Sequence, residues 1–271
     1  MNRTGGSPGA LPLEVVGVVH LPPLPGSPRA KSIEEVVERA RRDAARLEDG
    51  GVDAVLVENF GDTPYYPDDV PKITVACMTR AVAEVVDTVS VPVGVNVLRN
   101  DGVAAVDVCA ATGASFIRVN AYVEAVATDQ GVLQPVAHMV WREIDRLGVD
   151  VEVYADIRVK HGRPLDDRPV EEVARDAVER GLADAVIVTG SATGSPPRPE
   201  EVRKVARVVD RVLVGSGVTP ENAHVFLRAG AAGFIVGTYF KKNGITENPV
   251  DVDRVRELVR FIRRSGVERW P

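Results

Sequence analysis

The sequence predicts an α/β fold in which eight βα units close into a (β/α)8 TIM barrel. Three observations predict it: eight short apolar runs recur along the 271 residues, amphipathic segments lie between them, and no glycine-rich dinucleotide fingerprint follows the first run. The runs start about 22 to 39 residues apart, which suits a strand, a returning helix and loops of varied length. A doubly wound open sheet uses the same elements, but its first βα turn carries GxGxxG where this chain has "HLPPLPGSPR".

The first run is "EVVGVVH" from Glu14, rich in β-branched residues as a buried parallel strand should be. "SIEEVVERARRDAARLEDGG" follows, with Ile33, Val36, Val37, Ala40, Ala44 and Leu47 on one helical face. Ser32 and Glu35 have capping-box spacing, and Gly50-Gly51 provides the stop. The next runs are "DAVLVEN" from Asp53, "VPVGVNV" from Val91 and "SFIRVN" from Ser115. Between them "KITVACMTRAVAEVV" and "GVAAVDVCAAT" read as helices that bury Cys77 and Cys109. The series continues with "VEVYADI" from Val151, "DAVIVTG" from Asp184, "RVLVGSG" from Arg211 and "GFIVGT" from Gly233. A last segment, "NPVDVDRVRELVRFI", spaces Val252, Val255, Leu258, Val259 and Ile262 helically, with Asn248 expected as its cap and Pro249 in its first turn. No break in composition marks a second domain, so residues 13–271 are expected to form one barrel after a flexible arm over residues 1–12.

Composition narrows the function classes. With 45% hydrophobic and 27% charged residues the chain can bury a large core. A net charge of −6 argues against a broad grip on nucleic acid. The two cysteines have no CxxC spacing, no apolar run approaches the roughly 20 residues of a spanning helix, and the N-terminal stretch lacks an apolar signal core. The expectation is a cytoplasmic protein with no membrane insertion, and a homo-oligomer on the habits of barrels in general.

In such a barrel the ligand site lies where the βα loops gather, at the C-terminal ends of the strands. The polar residues there are His20, Glu58, Asn59, Asn96, Arg118, Asn120, Asp156, Arg158 and Lys160, followed by Thr189, Ser191 and Thr193 in "TGSATG". Glu58 and Asp156 each end an apolar strand on a different side of the mouth, as a proton donor and acceptor flanking a substrate would. The competing reading is a structural ion pair with Arg118 or Lys160. His20 suits a general acid or base, and Lys160 suits charge binding better than imine formation. His161 lies in a loop, whereas His138 and His224 fall on outer helices. Asn59, Asn96, Arg118, Asn120, Thr189, Ser191 and Thr193 are the expected substrate contacts.

The seventh and eighth strands end in Gly215-Ser216-Gly217 and Gly237-Thr238, where barrels hold phosphates on unobstructed backbone N–H groups. A helix starting at Thr219-Pro220 would aim its positive end at the same place. Glycine also punctuates ordinary βα junctions, so the pair of loops carries more weight than either alone. Lys241 and Lys242 are optional additions of charge. No cofactor is predicted; a divalent metal is possible if His20, Glu58 and Asp156 converge, which spacing leaves open.

The stretches "VVHLPPLPGSPR", "DAVLVENFGDTPY", "GVNVLRND", "FIRVNAYVEAVATDQG", "YADIRVKHG", "IVTGSATG", "LVGSGVTPEN" and "GFIVGTYFKKNG" resemble, in this order, the BtpA family of barrel proteins. The resemblance runs from about Val16 to Val255. It implies a barrel of the ribulose-phosphate-binding kind and two directions for function: the family is named for a role in photosystem I biogenesis, while relatives accompany sugar-metabolism proteins. It brings no catalytic assignment, so residue roles rest on position. One expectation is an enzyme on a phosphorylated sugar or nucleotide-derived sugar phosphate, an isomerase, epimerase or lyase moving a proton next to a carbonyl. The other is a non-catalytic assembly factor that uses the barrel as a binding scaffold.

Overall fold

A computed structural model of the chain describes residues 14–267, so the arm expected over residues 1–12 lies outside them. The strands are β1 (Glu14–His20), β2 (Ala54–Glu58), β3 (Val93–Asn96), β4 (Phe116–Val119), β5 (Val126–Thr128), β6 (Gly131–Leu133), β7 (Glu152–Ile157), β8 (Gly162–Pro164), β9 (Ala185–Thr189), β10 (Val212–Gly215) and β11 (Gly233–Val236). The helices are α1 (Ile33–Gly50), α2 (Lys72–Val86), α3 (Gly102–Thr112), α4 (Ala137–Leu147), α5 (Val170–Arg175), α6 (Pro199–Ala206), α7 (Pro220–Arg228) and α8 (Val252–Val267). Eight parallel strands close in the order β1-β11-β10-β9-β7-β4-β3-β2. All eight sequence-predicted strands are present within two residues of their expected starts.

Alternation along each strand sorts the side chains into two cores. Val16, Val18, Ala54, Leu56, Phe116 and Ile187 point into the barrel, while Val15, Val19, Val55 and Val57 face the helices. Each such burial is worth roughly 1.5–3 kcal/mol. The barrel axis is crowded: Phe116 lies stacked on Tyr154 and fills the space at Gly94, where a Cβ would come within 2.2 Å of the Phe116 ring. At the N-terminal end of the barrel Arg211 closes the floor between Glu14 (2.9 Å) and Glu152 (3.0 Å). This leaves the opposite end to carry the site.

Ser32 and Glu35 form the capping box, and Gly51 ends α1 in a left-handed conformation at φ 91°. Cys77 and Cys109 are both buried, on α2 and α3. The final helix starts later than its sequence suggests. Val250 bridges to Lys241 in a short antiparallel contact, the Asn248 amide donates to Lys242 O, and Asp251 accepts from Asp253 N–H in the capping place predicted for Asn248. Among the described residues no helix is long and apolar enough to cross a membrane.

A second departure from expectation lies over the mouth. The βα loops after β4 and β7 contribute a small antiparallel sheet in the order β6-β5-β8. Gly162 permits the approach, since a Cβ there would sit 2.4 Å from Val126 Cγ1. The segment after β2, Gly61 to Pro71, folds onto the mouth's edge: Tyr65 donates to Phe60 O at 2.7 Å, and Arg99 N–H donates to Tyr66 O at 3.0 Å.

Candidate active site

The alternation that fills the barrel also builds its upper layer. Counting two residues on from each inward apolar side chain gives His20, Glu58, Asn96, Arg118, Asp156, Thr189, Gly215 and Gly237, one per strand end. The register sets His20 beside Glu58 and Glu58 beside Asn96. His20, Glu58, Asn96, Arg118 and Asp156 are thereby set in one layer above the apolar one.

Arg118 is the hub. Its Nε and Nη2 donate to Asp156 at 3.1 and 2.9 Å in a two-pronged pair, and its Nη1 lies 3.6 Å from Glu58 Oε2. Asn120 Nδ2 adds a 2.8 Å bond to Asp156, while Asn96 Nδ2 donates to Glu58 Oε2 at 2.8 Å. Burial works against the Arg118 charge, but Asp156 and Glu58 outweigh it and raise the guanidinium above its ordinary range. The two expected carboxylates therefore differ. Asp156 is saturated by Arg118 and Asn120 and fits the structural ion pair, not a free proton acceptor. Glu58 has only Oε2 engaged, and its Oε1 stands 3.9 Å from His20 Nε2.

His20 is buried against Phe60, with ring centres 4.6 Å apart, and its Nδ1 has no hydrogen-bond partner among the described residues. Desolvation first, then the charges of Lys241, Lys160 and Arg118, hold its pKa well below the usual histidine value. The ring is therefore neutral at physiological pH, able to accept at one nitrogen and donate at the other. Asn120 Oδ1 is likewise buried without a partner. Such groups call for a ligand or water, because an unpaired buried polar atom costs about 1–3 kcal/mol.

Lys160 arrives from the turn after β7, between two residues of positive φ, Arg158 (53°) and His161 (57°). Its backbone N–H donates to Thr189 Oγ1 at 3.1 Å, and Arg99 Nη2 donates to its carbonyl at 2.5 Å. Burial, reinforced by Arg118, brings its ammonium down to about 8 against the pull of Glu58 and Asp156. The unfolded chain holds that proton up to 10.5, so the penalty is complete below pH 8 and disappears as pH rises from 8 to 10.5. Lys160→Met should accordingly stabilise the fold by about 2 kcal/mol at pH 7. Denaturant melts of both proteins at pH 7 and pH 10.5 check this, and the advantage should vanish at the higher pH.

One narrow cavity, about 30 Å³, joins this polar cluster to the two glycine loops. His20, Glu58, Arg118 and Lys160 line one end; Gly217, Gly237 and Thr238 line the other, with Thr193 and Gly194 beside them. Gly237 lies against the His20 ring, where a Cβ would come within 2.5 Å of Cε1. Gly217 has φ 63°, and a Cβ there would meet Pro196 N at 2.3 Å. Thr238 and Tyr239 open a short 3-10 turn, whose first N–H groups have no partner within the turn. Asn222 fixes the entry to α7, accepting from Thr219 N–H at 2.9 Å and donating to Gly217 O at 2.8 Å.

Other expected residues do different work. The Asn59 side chain ties two loops, accepting from Leu98 N–H at 2.7 Å and donating to Asp62 at 3.1 Å. Ser216, at φ 96°, uses its hydroxyl as a brace, accepting from Gly190 N–H and donating to Ser195 O at 2.9 Å. Gly215 makes room for Ile187 and Thr189. Ser191 is exposed, and its carbonyl accepts from His161 N–H. Arg158 turns away to Glu124, at 3.0 Å. His138 and His224 lie on α4 and α7 as expected. Lys242 is exposed, but Lys241 is wholly buried: its Nζ donates to Val18 O at 3.0 Å and lies 3.6 Å from Asp43. Lys241, an optional source of charge for a phosphate on sequence, is therefore held by Val18 and Asp43, and Arg99, which position along the sequence did not single out, braces the Lys160 carbonyl. Among the described residues, no three His, Cys, Asp or Glu side chains gather as metal ligands; Arg118 stands between the carboxylates of the trio His20, Glu58 and Asp156.

A family model described as the BtpA family matches residues 13–264. The chain belongs to the BtpA family. An uncharacterised protein of Thermococcus kodakarensis is 44% identical over 261 residues, covering 93% of this chain and 97% of that protein. The photosystem I biogenesis protein BtpA of Synechocystis is 40% identical over 248 residues, 90% of this chain and 86% of its own length. Among solved structures, a thiamine phosphate pyrophosphorylase from Pyrococcus furiosus superposes with a TM-score of 0.57 at 16% identity, covering 94% of this chain and 97% of the other. An N-(5'-phosphoribosyl)anthranilate isomerase from the same organism gives 0.54 at 20% identity, with 93% and 99% covered. At these identities the structural likeness of this BtpA-family chain to enzymes speaks for the fold.

Proposed function

We propose that this BtpA-family barrel is an enzyme acting on a phosphorylated sugar, or a nucleotide-derived sugar phosphate, by moving a proton next to a carbonyl. The observation that carries the reading is the single cavity with Glu58, His20 and Lys160 at one end and the Gly217 and Gly237 turns at the other. Backbone N–H groups at those turns would hold the phosphate without meeting a side chain. Glu58 takes the proton from the carbon beside the carbonyl, and the electron pair passes to the carbonyl oxygen. The Lys160 ammonium faces that developing negative charge, and neutral His20 carries a proton between oxygen and Glu58. Return of the proton to the neighbouring carbon gives isomerisation and return to the other face gives epimerisation; removal instead of the proton of a hydroxyl on the β-carbon, with the Cα–Cβ electron pair passing to the carbonyl oxygen, gives aldol cleavage. Arg118, held by Asp156, lies 3.6 Å from Glu58 and keeps it in place. The relatedness of two solved phosphate-named enzymes by fold is consistent with this reading.

The cavity is narrower than a sugar phosphate, so the loops that line it must part for binding. A thermal-shift screen of phosphorylated and unphosphorylated sugars tests the ligand class. Stabilisation by phosphorylated compounds alone is the expected result; equal shifts with the unphosphorylated sugars, or no shift with any phosphate, would refute it. A scaffold role in assembly is the second reading, favoured by the name of the Synechocystis relative. It predicts capture of a protein complex that survives Glu58→Gln.

A further inference from the structure

The narrow slot is not the only space that His20 borders. On the other side, above β1 and the start of α1, lies a cavity of about 870 Å³ that His20 also lines. That is the size of a site for a whole small molecule, whereas the slot admits little more than a phosphate's surroundings. In the closed barrel β1 sits directly next to β11, so a molecule anchored at Gly237 and passing His20 would reach this cavity next.

Its floor is apolar: Leu21, Pro22, Pro23 and the half-buried ring of Phe60, which packs on His20. Gly61 allows this floor to form, because a Cβ there would strike Pro23 N at 2.4 Å. Its rim mixes signs. Arg29 donates to Thr63 Oγ1, Lys31 has no carboxylate partner among the described residues, and Arg42 lies 3.4 Å from Glu38. Glu35, Glu247 and Arg39, the last paired with Asp43 at 2.8 Å, complete the rim. A second phosphate would face three carboxylates as well as the cations. A neutral ring with both donors and acceptors on its edge, stacked on Phe60, meets no such conflict.

We propose that the substrate is a phosphosugar whose end remote from the phosphate carries a flat nitrogenous ring through an amine, so that opening of the sugar leaves a C=N group, the carbonyl equivalent beside which Glu58 moves a proton. The ring lies on Phe60 and Pro22–Pro23 beneath the Arg29–Glu38 rim, the sugar passes His20 and Glu58, and the phosphate lies at Gly217 and Gly237. This inference rests on the proposed phosphate site and adds the substrate's other half.

Calorimetric titration of the full chain with ribose 5-phosphate, ribose 1,5-bisphosphate and adenosine 5'-monophosphate tests it. The mononucleotide should bind at least about 10-fold more tightly than ribose 5-phosphate, in keeping with stacking of one base. Phe60→Ala should erase that advantage, so that the mononucleotide and ribose 5-phosphate bind alike. Magnetisation transfer from the base protons to the Phe60 ring in the unsubstituted protein reads the same contact without depending on how the variant folds. Equal affinity for ribose 5-phosphate and the mononucleotide, tighter binding of the bisphosphate, or no transfer to Phe60 would overturn the inference and leave the phosphate site standing. Failure of all three phosphates to bind would refute the phosphate site and this inference together.

Discussion

Arg118→Met should destabilise the fold by about 3–5 kcal/mol at pH 7.5, the usual consequence of leaving buried charge without its partner. The substitution keeps the stem's volume and removes the one cation that lies between Asp156 and Glu58. Asn96 and Asn120 keep one bond each to the carboxylates, but neither neutralises them. Urea denaturation of both proteins at pH 7.5 measures this. A loss below about 1 kcal/mol would remove Arg118 from the centre of the mouth.

Gly217→Val should abolish binding of phosphorylated ligands, by about 100-fold or more, because two obstacles act at the same atom. The backbone is at φ 63°, which valine adopts only with strain, and its Cβ would lie 2.3 Å from Pro196 N and 2.6 Å from Ser195 C. Backbone atoms cannot swing aside as a side-chain end can, so the turn after β10 must move and take its N–H groups with it. Lys242→Ala, at an exposed site outside the cavity, serves as the matched control and should bind normally. Titration calorimetry with a sugar phosphate compares the two, and retained binding by Gly217→Val would contradict the anchor.

Much of this was legible in the chain because a parallel barrel strand writes itself as a β-branched run, and the end of each run lies at the mouth. That position alone brings His20, Glu58, Asn96, Arg118 and Asp156 together. It could not tell Glu58 from Asp156, since that difference comes from where one long arginine on β4 points. Nor could it separate residues that face the cavity from those that brace the loops around it. Asn59, Ser191 and Ser216 have the right composition, but their polar atoms or positions serve the loops. The small sheet over the mouth was hidden because its three-residue strands are too short for periodicity to register. Lys241 reads as solvated in a lysine pair, yet Asp43 on α1 draws it into the interior. Such a long-range ion pair leaves no local mark.

The most direct test of the central claim is solvent exchange at carbon. Sugar phosphates that bind the protein would be incubated with it in deuterated water and followed by proton NMR. The account predicts that a signal beside the carbonyl disappears with the unsubstituted protein, persists with Glu58→Gln and is lost only slowly with Lys160→Met. Bound sugar phosphates that keep every carbon-bound proton, or exchange unaffected by Glu58→Gln, would contradict it.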